Sequence, residues 1–300
     1  MTNQKTILVK KLITMILVTA ATGHLGKGVI DFLLKAVPAH QIVALVRDPA
    51  KAEELTDKGI AIRKGDYFDA ASLVKAFDGI ETLLLISSGS LEDRVGQHTN
   101  AINAAKEAGV KHLIYTSALK TSYQTKFTLG VDHIKTEEYL KSSGISYTIF
   151  RNTFYAEVVP MLVGNALETG QWFYPAAEAK ANFVLRADIA EALAKVLVAP
   201  EKHLNQTYEI TSAKSYSFTE LAEQLSDVTG KTITYTAIST ESFKAGLGQA
   251  GVPEAFIPML VSISEALKDG EMDVTDAALE QLLGRKPTAL SLYFQANYTA

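Results

Sequence analysis

A short apolar run that leads through a glycine turn into a helix constrains this chain more than any other feature. Residues 16–19 suit a buried parallel strand, and Gly23 and Gly26 follow three residues apart. The pattern is a G-x-x-G-x-x-G turn with Ala20 in place of its first glycine. Glycines here leave backbone amides open to a pyrophosphate, and the N-terminus of the helix adds a favourable dipole. The turn therefore predicts a dinucleotide site, the alternative being two glycines that serve only a tight turn. The candidate cofactor contacts at this turn are Ala20, Thr22, Gly23, His24, Leu25 and Gly26.

Strand and helix patterns alternate regularly along the first half of the chain. Further apolar strands are predicted at residues 42–46, 60–63, 82–86, 112–115 and 147–150. Helices are predicted between them, including one that Asp69 caps and others at residues 95–108 and 132–142. This alternation predicts an α/β fold with a doubly wound parallel sheet, the Rossmann arrangement.

The alternation loosens after Arg151, which predicts a smaller C-terminal α+β lobe that binds substrate. Helix signals there include a capping box formed by Ser217 and Glu220. We place residues 15–155 in an NAD(P)-binding Rossmann domain and residues 156–300 in the substrate-binding lobe. Residues 1–14 precede the first strand and are interpreted as a dispensable N-terminal extension.

The composition narrows the classes of partner. Lysine and arginine total 29 against 33 acidic residues, for a net charge of -4 without a dense basic run. A nucleic-acid partner is therefore not expected. The absence of cysteine excludes disulfides and thiolate chemistry. A secretory signal is rejected because cleavage near Ala20 would remove the first strand. We expect a cytoplasmic protein without a membrane partner, and a homodimer is left open.

Other catalytic patterns fail on spacing. Gly230-Lys231-Thr232 copies the end of a P-loop, but Leu225 occupies the position of its first glycine and a predicted helix precedes it. The six histidines show no pair at metal-ligand spacing, and no G-x-S-x-G segment occurs. A metal site is therefore not predicted.

Several segments together resemble one family. They are residues 19–26, the Val-Arg-Asp-Pro-Ala-Lys segment at 46–51, residues 85–88, residues 115–117 and Arg151-Asn152. In combination they resemble the NmrA-like atypical short-chain dehydrogenases, particularly the bacterial NAD(P)H:quinone oxidoreductases of type 2. The resemblance runs from about Met15 to Phe294.

This resemblance implies an oxidoreductase that passes hydride from NADPH to a quinone or another small flat electron acceptor. It implies NADP(H) as the cofactor, with NAD(H) as the alternative, and neither flavin nor metal. Ser87 and Ser88, after the fourth strand, are implied as cofactor contacts. The family also contains regulators that sense NADP(H) without turnover, and the fold alone does not separate the two functions.

The chain departs from ordinary short-chain dehydrogenases in its proton-transfer residues. Those enzymes use a tyrosine whose pKa is lowered by a lysine four residues later, and none of the 12 tyrosines here has that partner. His133 and Glu137 stand where the pair is expected. His133 is a candidate proton donor, and Ser117 resembles the catalytic serine after the fifth strand. Alternatively, His133 only pairs on a helix surface and Ser117 only satisfies loop backbone.

Residues 152–157 follow the predicted sixth strand, at the edge where doubly wound folds bind ligands. The resemblance implies that this segment approaches both nicotinamide and quinone, so Asn152 and Tyr155 are catalytic candidates. The cofactor contacts expected from this segment are Asn152, Thr153, Phe154, Tyr155 and Glu157. Alternatively, Phe154 and Tyr155 are core residues that join the two lobes.

Arg47 follows the second strand, where NAD-dependent enzymes commonly place an acidic residue that binds the ribose 2′-hydroxyl. An arginine there can form a charge-assisted fork with the 2′-phosphate, and Lys51 can add a second positive charge. Asp48 would favour NADH if its carboxylate faced the ribose. We expect Arg47 to dominate and NADPH to be preferred.

Overall fold

The computed structural model describes residues 14–298, so the predicted extension at residues 1–14 lies outside the described residues apart from Thr14. The strands are β1 (Ile16–Val18), β2 (Ile42–Val46), β3 (Ala61–Lys64), β4 (Thr82–Leu85), β5 (His112–Ala118), β6 (Ser146–Asn152), β7 (Phe154–Tyr155), β8 (Gln171–Tyr174), β9 (Lys180–Val184), β10 (Gln206–Ile210), β11 (Ser215–Ser217) and β12 (Thr234–Ala237). The α-helices are α1 (His24–Leu33), α2 (Glu53–Asp57), α3 (Ala70–Phe77), α4 (Arg94–Glu107), α5 (Thr128–Ser142), α6 (Val159–Val163), α7 (Ala166–Thr169), α8 (Arg186–Val198), α9 (Phe218–Thr229), α10 (Thr240–Gln249), α11 (Ile257–Lys268), α12 (Ala278–Leu283) and α13 (Leu290–Tyr298).

A parallel sheet of seven strands, in the order β10-β6-β5-β4-β1-β2-β3, forms the centre of the described chain. Its order reverses between β1 and β4, which makes their carboxyl ends the topological switch point where such folds bind ligands. The predicted doubly wound Rossmann sheet is therefore confirmed.

Helices cover both faces of this sheet, because the strands are apolar on both sides. On one face, α1 packs with Val29, Ile30 and Leu33 buried, and α8 and α12 share the same core. On the other face, α3 buries Leu73 and Phe77, next to α4 and α5. Burial on both faces explains why the strands read as continuous apolar runs.

The second half of the chain builds a separate apolar core around Trp172 and Phe218. Two small sheets, β11-β9-β7 and β12-β8, contribute to it together with helices that include α9 and α11. However, β10 joins the large sheet beside β6, and α8 covers one of its faces. Elements that follow the predicted boundary at residue 155 are thus part of the Rossmann sheet and its core. A single domain boundary at residue 155 therefore does not separate the two cores.

Local end signals explain where several elements begin. Asp69 caps α3 by accepting a hydrogen bond from the Ser72 amide at 3.1 Å, as predicted. The Ser217–Glu220 capping box is present at α9 and is likewise confirmed. The strands β5 and β6 continue three and two residues past their predicted ends at 115 and 150, so Ser117 and Asn152 lie within strands rather than after them. Across residues 14–298, no helix is both long and apolar enough to cross a bilayer.

Candidate cofactor and substrate site

The turn between β1 and α1 presents an uncapped helix N-terminus at the switch point. Gly23 is the N-cap of α1, and no side chain of the described residues caps this end. A side chain at Gly26 would overlap the carbonyl oxygen of Ala20 and lie 2.9 Å from Cα of Ala21. Only glycine therefore allows this close passage of helix and turn, and the first amides of α1 stay open to a ligand.

Ala20 occupies a backbone conformation that suits glycine, since its φ is 47°. An L-residue in this region costs about 1–2 kcal/mol, of which the greater flexibility of unfolded glycine offsets about 0.4–1 kcal/mol. We therefore predict that Ala20→Gly raises the free energy of unfolding by about 0.5–1 kcal/mol, measured by thermal or urea denaturation. Ala21→Gly, at a buried neighbour without positive φ, is the matched control and should destabilise. Equal shifts in both variants would contradict this account.

A cleft of about 580 Å³ opens beside this turn, at the carboxyl ends of β1, β2, β3 and β4. We call it the nucleotide cleft. Its lining residues are Ala20, Thr22, Gly23, Leu45, Val46, Arg47, Gly65, Asp66, Tyr67, Phe68, Ser87, Ser88, Gly89, Ser90 and Gln97. Several predicted contacts thus line one cavity, namely Ala20, Thr22, Gly23, Arg47, Ser87 and Ser88.

The segment after β3 was missed by the sequence analysis. Asp66, Tyr67 and Phe68 line the cleft, and Phe68 exposes 53% of its surface. The Tyr67 hydroxyl bridges Thr19 Oγ1 at 2.5 Å and the Ile86 carbonyl at 2.8 Å, so it ties β1, β3 and β4 together. The available signal was topological: in a parallel sheet, the residues after every strand meet at the same edge.

Arg47 is exposed and borders both the nucleotide cleft and an adjoining pocket of about 600 Å³. That pocket is lined by four cations, Arg47, Arg63, Lys64 and Lys75, and by two carboxylates, Asp66 and Asp69, so cations outnumber acids at this end of the cleft. Asp48 accepts a hydrogen bond from the Ala50 amide at 3.1 Å and caps the turn that follows β2. Its carboxylate is therefore engaged locally.

Lys51 does not lie on either of these two cavities, unlike its predicted partner Arg47. It stands exposed in the short 3-10 turn Pro49–Ala52. The predicted contribution of a second positive charge from Lys51 thus has no support from the lining of these two cavities and stays a prediction.

Asn152 ends β6, where it is the register partner of Ala118 in β5 and of Ile210 in β10. It is 7% exposed, yet neither Nδ2 nor Oδ1 makes a hydrogen bond of normal geometry with residues 14–298. Leaving a buried amide unpaired costs about 1–3 kcal/mol, so such a group points to a role beyond stability. Its position at the carboxyl edge, two strands from β4, suits a ligand-facing amide.

The residues that follow Asn152 divide between this site and the packing of the second core. Thr153 is buried and donates a hydrogen bond to the Asn182 carbonyl at 2.9 Å. Phe154 stacks on Phe183 in β9 at 5.9 Å, which supports the alternative that it is a core residue. Both side chains therefore take part in packing the second core, and their contact with a cofactor stays a prediction.

Tyr155 and Glu157 interact with the start of α8. The guanidinium of Arg186 lies 5.0 Å from the Tyr155 ring centre. Burial raises the pKa of the Tyr155 hydroxyl, while Arg186 and the nearby Asn152 amide act in the opposite direction. Glu157 accepts the Arg186 amide with both carboxylate oxygens, at 3.1 and 3.2 Å. Glu157 thus holds the first turn of α8, and its contact with a cofactor stays a prediction, whereas Tyr155 remains a neutral phenol beside Asn152.

Ser117 is part of a buried ion-pair network. Its hydroxyl donates to Glu137 Oε1 at 2.7 Å, and Arg151 donates to both oxygens of Glu137 at 2.9 and 2.7 Å. Glu209 and Lys141 complete the network. Because the Ser117 proton is committed to a fully buried carboxylate, this geometry does not support the predicted catalytic role of Ser117.

His133 is buried, and both of its ring nitrogens are occupied. Nδ1 lies 2.7 Å from the Tyr115 hydroxyl, and Nε2 lies 3.2 Å from Nη2 of Arg94. Burial, followed by the charge of Arg94 and then by His98, lowers the pKa of His133 well below its usual value. A proton donor near neutral pH needs an accessible, protonated ring, so the structure argues against the predicted role of His133.

The sequence and structure of this chain match known proteins over nearly their whole length. The profile of the NmrA-like family matches residues 13–296. The chain belongs to the NmrA-like family. Quinone oxidoreductase 2 of Escherichia coli (strain K12) is 41% identical over 277 residues, which cover 92% of this chain and 96% of that protein.

Solved structures of other family members show the same architecture. The crystal structure of the NADPH-dependent quinone oxidoreductase from Escherichia coli, complexed with NADPH, has a TM-score of 0.90 at 40% identity and covers 94% of this chain and 99% of that one. The triphenylmethane reductase of Citrobacter sp., complexed with NADP(H), has a TM-score of 0.87 at 38% identity, with 94% and 99% covered. The resemblance inferred from the sequence is confirmed by these matches.

Proposed function

We propose that this protein is an NADPH-dependent reductase that transfers hydride to a quinone-type acceptor. The observation that carries the proposal is the buried amide of Asn152, which makes no hydrogen bond of normal geometry with residues 14–298, at the carboxyl edge of the sheet that holds the nucleotide cleft. Relatives of 38–41% identity, described as a quinone oxidoreductase and a triphenylmethane reductase, support turnover over a purely regulatory function.

The residues at the cleft fit a dinucleotide phosphate. The uncapped first turn of α1 offers amides to the pyrophosphate, and the tight passage at Gly26 keeps the approach free of side chains. Arg47 stands where the 2′-phosphate of the adenosine ribose is expected. The exposed ring of Phe68 offers an apolar surface to adenine at the rim of the cleft.

Reduction of a quinone to a hydroquinone takes one hydride and one proton, and the bound cofactor supplies the hydride. The chain contributes position and polarity: the Asn152 amide can donate through Nδ2 and accept through Oδ1, so it can orient a carbonyl or carboxamide. The neutral hydroxyl of Tyr155 lies nearby as a proton source, and solvent can serve as another. Neither Ser117 nor His133 is needed as an acid, because a hydroquinone anion is delocalised and easily protonated.

The proposal includes no flavin and no metal ion. Among residues 14–298, no three His, Cys, Asp or Glu side chains come together as a metal site requires. Flat aromatic acceptors are the substrate class, since positioning by one amide and one phenol suits a planar conjugated carbonyl.

The decisive experiment follows the loss of reduced-nicotinamide absorbance on addition of benzoquinone-type acceptors to the full chain. We expect saturable oxidation of NADPH that depends on the acceptor and forms one hydroquinone per NADPH. Saturable NADPH binding without acceptor-dependent oxidation would instead favour a regulatory protein that senses the cofactor.

A further inference from the structure

Arg94, at the start of α4, is a buried cation that forms a salt bridge with Asp132 but no hydrogen bond to it. It is 5% exposed, and its nearest charged neighbour is Oδ2 of Asp132, 3.5 Å from Nε. The guanidinium donates instead to the carbonyl oxygens of Ser88 and Ser90 and to Nε2 of His133. Because a buried charge is costly to desolvate, this arrangement indicates that holding the backbone of residues 88–90 matters to the protein.

The donors around the two buried histidines fix their tautomers. The guanidinium of Arg94 can only donate, so Nε2 of His133 must accept. The Ser88 amide also can only donate, and it lies 2.9 Å from Nε2 of His98, which must accept in the same way. Both rings therefore carry their proton on Nδ1, where His133 faces the Tyr115 hydroxyl and His98 faces Thr136.

The charges and buried positions around these rings favour the neutral forms. Burial, then Arg94, lowers the pKa of His98 to about 3 and that of His133 well below its usual range. The carboxylate of Asp132 is the nearby negative charge, but it pairs with Arg94. Both histidines thus act as fixed hydrogen-bond acceptors across the ordinary working range of pH.

The backbone that this network holds forms one wall of the nucleotide cleft. Residues 87–90 line the cleft, and each end of the segment is held by α4 or by β5. The Ser87 amide donates to Thr116 at 2.9 Å, and the Ser88 hydroxyl donates to Gln97 at 2.8 Å. The Gly96 amide donates to the Asp93 carboxylate at 3.1 Å, which caps the first turn of α4.

We propose that Arg94, His98 and His133 are positioning residues that hold the 88–90 wall of the nucleotide cleft in its cofactor-binding shape. This inference rests on the proposed function only for the identity of the cofactor. It assigns His133, which stands where related dehydrogenases carry a catalytic tyrosine, to the binding of cofactor and not to proton transfer.

The test compares His133→Leu with His133→Gln. Leucine leaves Arg94 Nη2 without an acceptor, which should loosen the 88–90 wall and raise the NADPH dissociation constant and KM roughly tenfold. Turnover at saturating NADPH should stay within about threefold of wild type, since no proton-transfer group is lost. Glutamine can still accept from Arg94 through Oε1, so it should restore NADPH affinity to within about threefold and leave the pH profile unchanged.

A buried histidine outside the cleft provides the matched control. His112 lies at the amino end of β5, is 2% exposed and pairs with Thr148 at 2.8 Å. His112→Leu should lower the melting temperature without weakening NADPH binding. If it weakens binding as much as His133→Leu does, general destabilisation explains the effect and the positioning role is overturned.

Direct titration of NADPH fluorescence separates this inference from the proposed function. If the wild-type protein binds NADPH but reduces no quinone, the proposed function is wrong. The positioning role is then still tested by the NADPH affinities of the His133 variants. The role is overturned if folded His133→Leu binds NADPH normally, or if His133→Gln loses turnover with an altered pH profile. Should His133→Leu fail to fold, Thr136→Val removes the hydroxyl that orients His98, and unchanged NADPH affinity in that variant would overturn the role.

Discussion

Replacement of Asn152 by alanine is expected to lower quinone turnover roughly 100-fold while changing NADPH affinity by less than about threefold. The size follows from the loss of one preorganised hydrogen-bonding group at a reacting carbonyl, which costs roughly 100- to 1000-fold in comparable sites. Affinity is expected to change little because the nucleotide cleft, where we propose that most of the cofactor binds, lies at the ends of other strands.

The same variant should keep or raise the thermal stability of the protein. Nδ2 and Oδ1 of Asn152 are buried without normal hydrogen-bond partners among residues 14–298, so their removal relieves a desolvation penalty. Lower turnover together with undiminished stability is the signature of a group retained for function. A fall in melting temperature would show that the lost turnover reflects damage to the fold.

Asn103→Ala is a suitable matched control, because it removes the same amide from the surface of α4. The Asn103 side chain accepts a hydrogen bond from the Tyr139 hydroxyl at 2.7 Å in an exposed position. Steady-state kinetics with NADPH and a benzoquinone should show wild-type turnover for this control. If Asn152→Ala also keeps wild-type turnover and acceptor KM, the acceptor binds elsewhere.

The central sheet was predictable because its signals are local. Residues 42–46 form a continuous apolar run, and the structure places β2 over that range. The turn ending at Gly26 combines a strand, two glycines and a helix within a few residues, so its position could be read without distant contacts. The place of Asn152 at the carboxyl edge of the sheet followed from the strand order that this alternation implies.

The role of His133 could not be predicted in the same way. Its partners Arg94 and Tyr115 are 39 and 18 residues away in sequence. No local sequence pattern predicts that α4, β5 and α5 bury these three side chains together. Helix α5 also begins at Thr128, ahead of the predicted start at residue 132, and it buries Gly130, His133, Thr136, Glu137 and Leu140.

The pairing of β10 with the large sheet also could not be predicted from local sequence patterns. Residues 206–210 contain two apolar side chains among polar ones, which suits a strand at the edge of any sheet. Their pairing with β6 spans 58 residues, as the ladder between Gln206 and Thr148 shows. Composition alone does not select one sheet edge over another, so the division at residue 155 placed this strand in the wrong core.

The protein is expected to prefer NADPH to NADH by roughly ten- to a hundredfold in affinity, and Arg47→Ala should remove most of that preference. A charge-assisted hydrogen bond to the 2′-phosphate contributes about 1.5–3 kcal/mol, which corresponds to this range. Arg47 lines the cleft, and the Asp48 carboxylate is held by the Ala50 amide. The Asp48 carboxylate is thus engaged in the turn, and Asp66, the acidic residue on the cleft lining, accepts a hydrogen bond from the Phe68 amide at 3.0 Å.

Two control variants separate this contact from the general effect of charge. Lys111→Ala removes one positive charge from an exposed position just before β5, at the opposite edge of the sheet, and should leave both affinities unchanged. Lys51→Ala should have a smaller effect than Arg47→Ala, because Lys51 lies off the described lining of the cleft. Dissociation constants for both reduced cofactors, measured at two salt concentrations, provide the comparison.

Equal affinities in the wild type, or an NADPH preference that survives in Arg47→Ala, would contradict the assignment of 2′-phosphate recognition to Arg47. An NADPH preference that is lost in Arg47→Ala and kept in Lys111→Ala would assign recognition of the 2′-phosphate to the Arg47 guanidinium. Both variants remove one positive charge, so a general effect of net charge would appear in both.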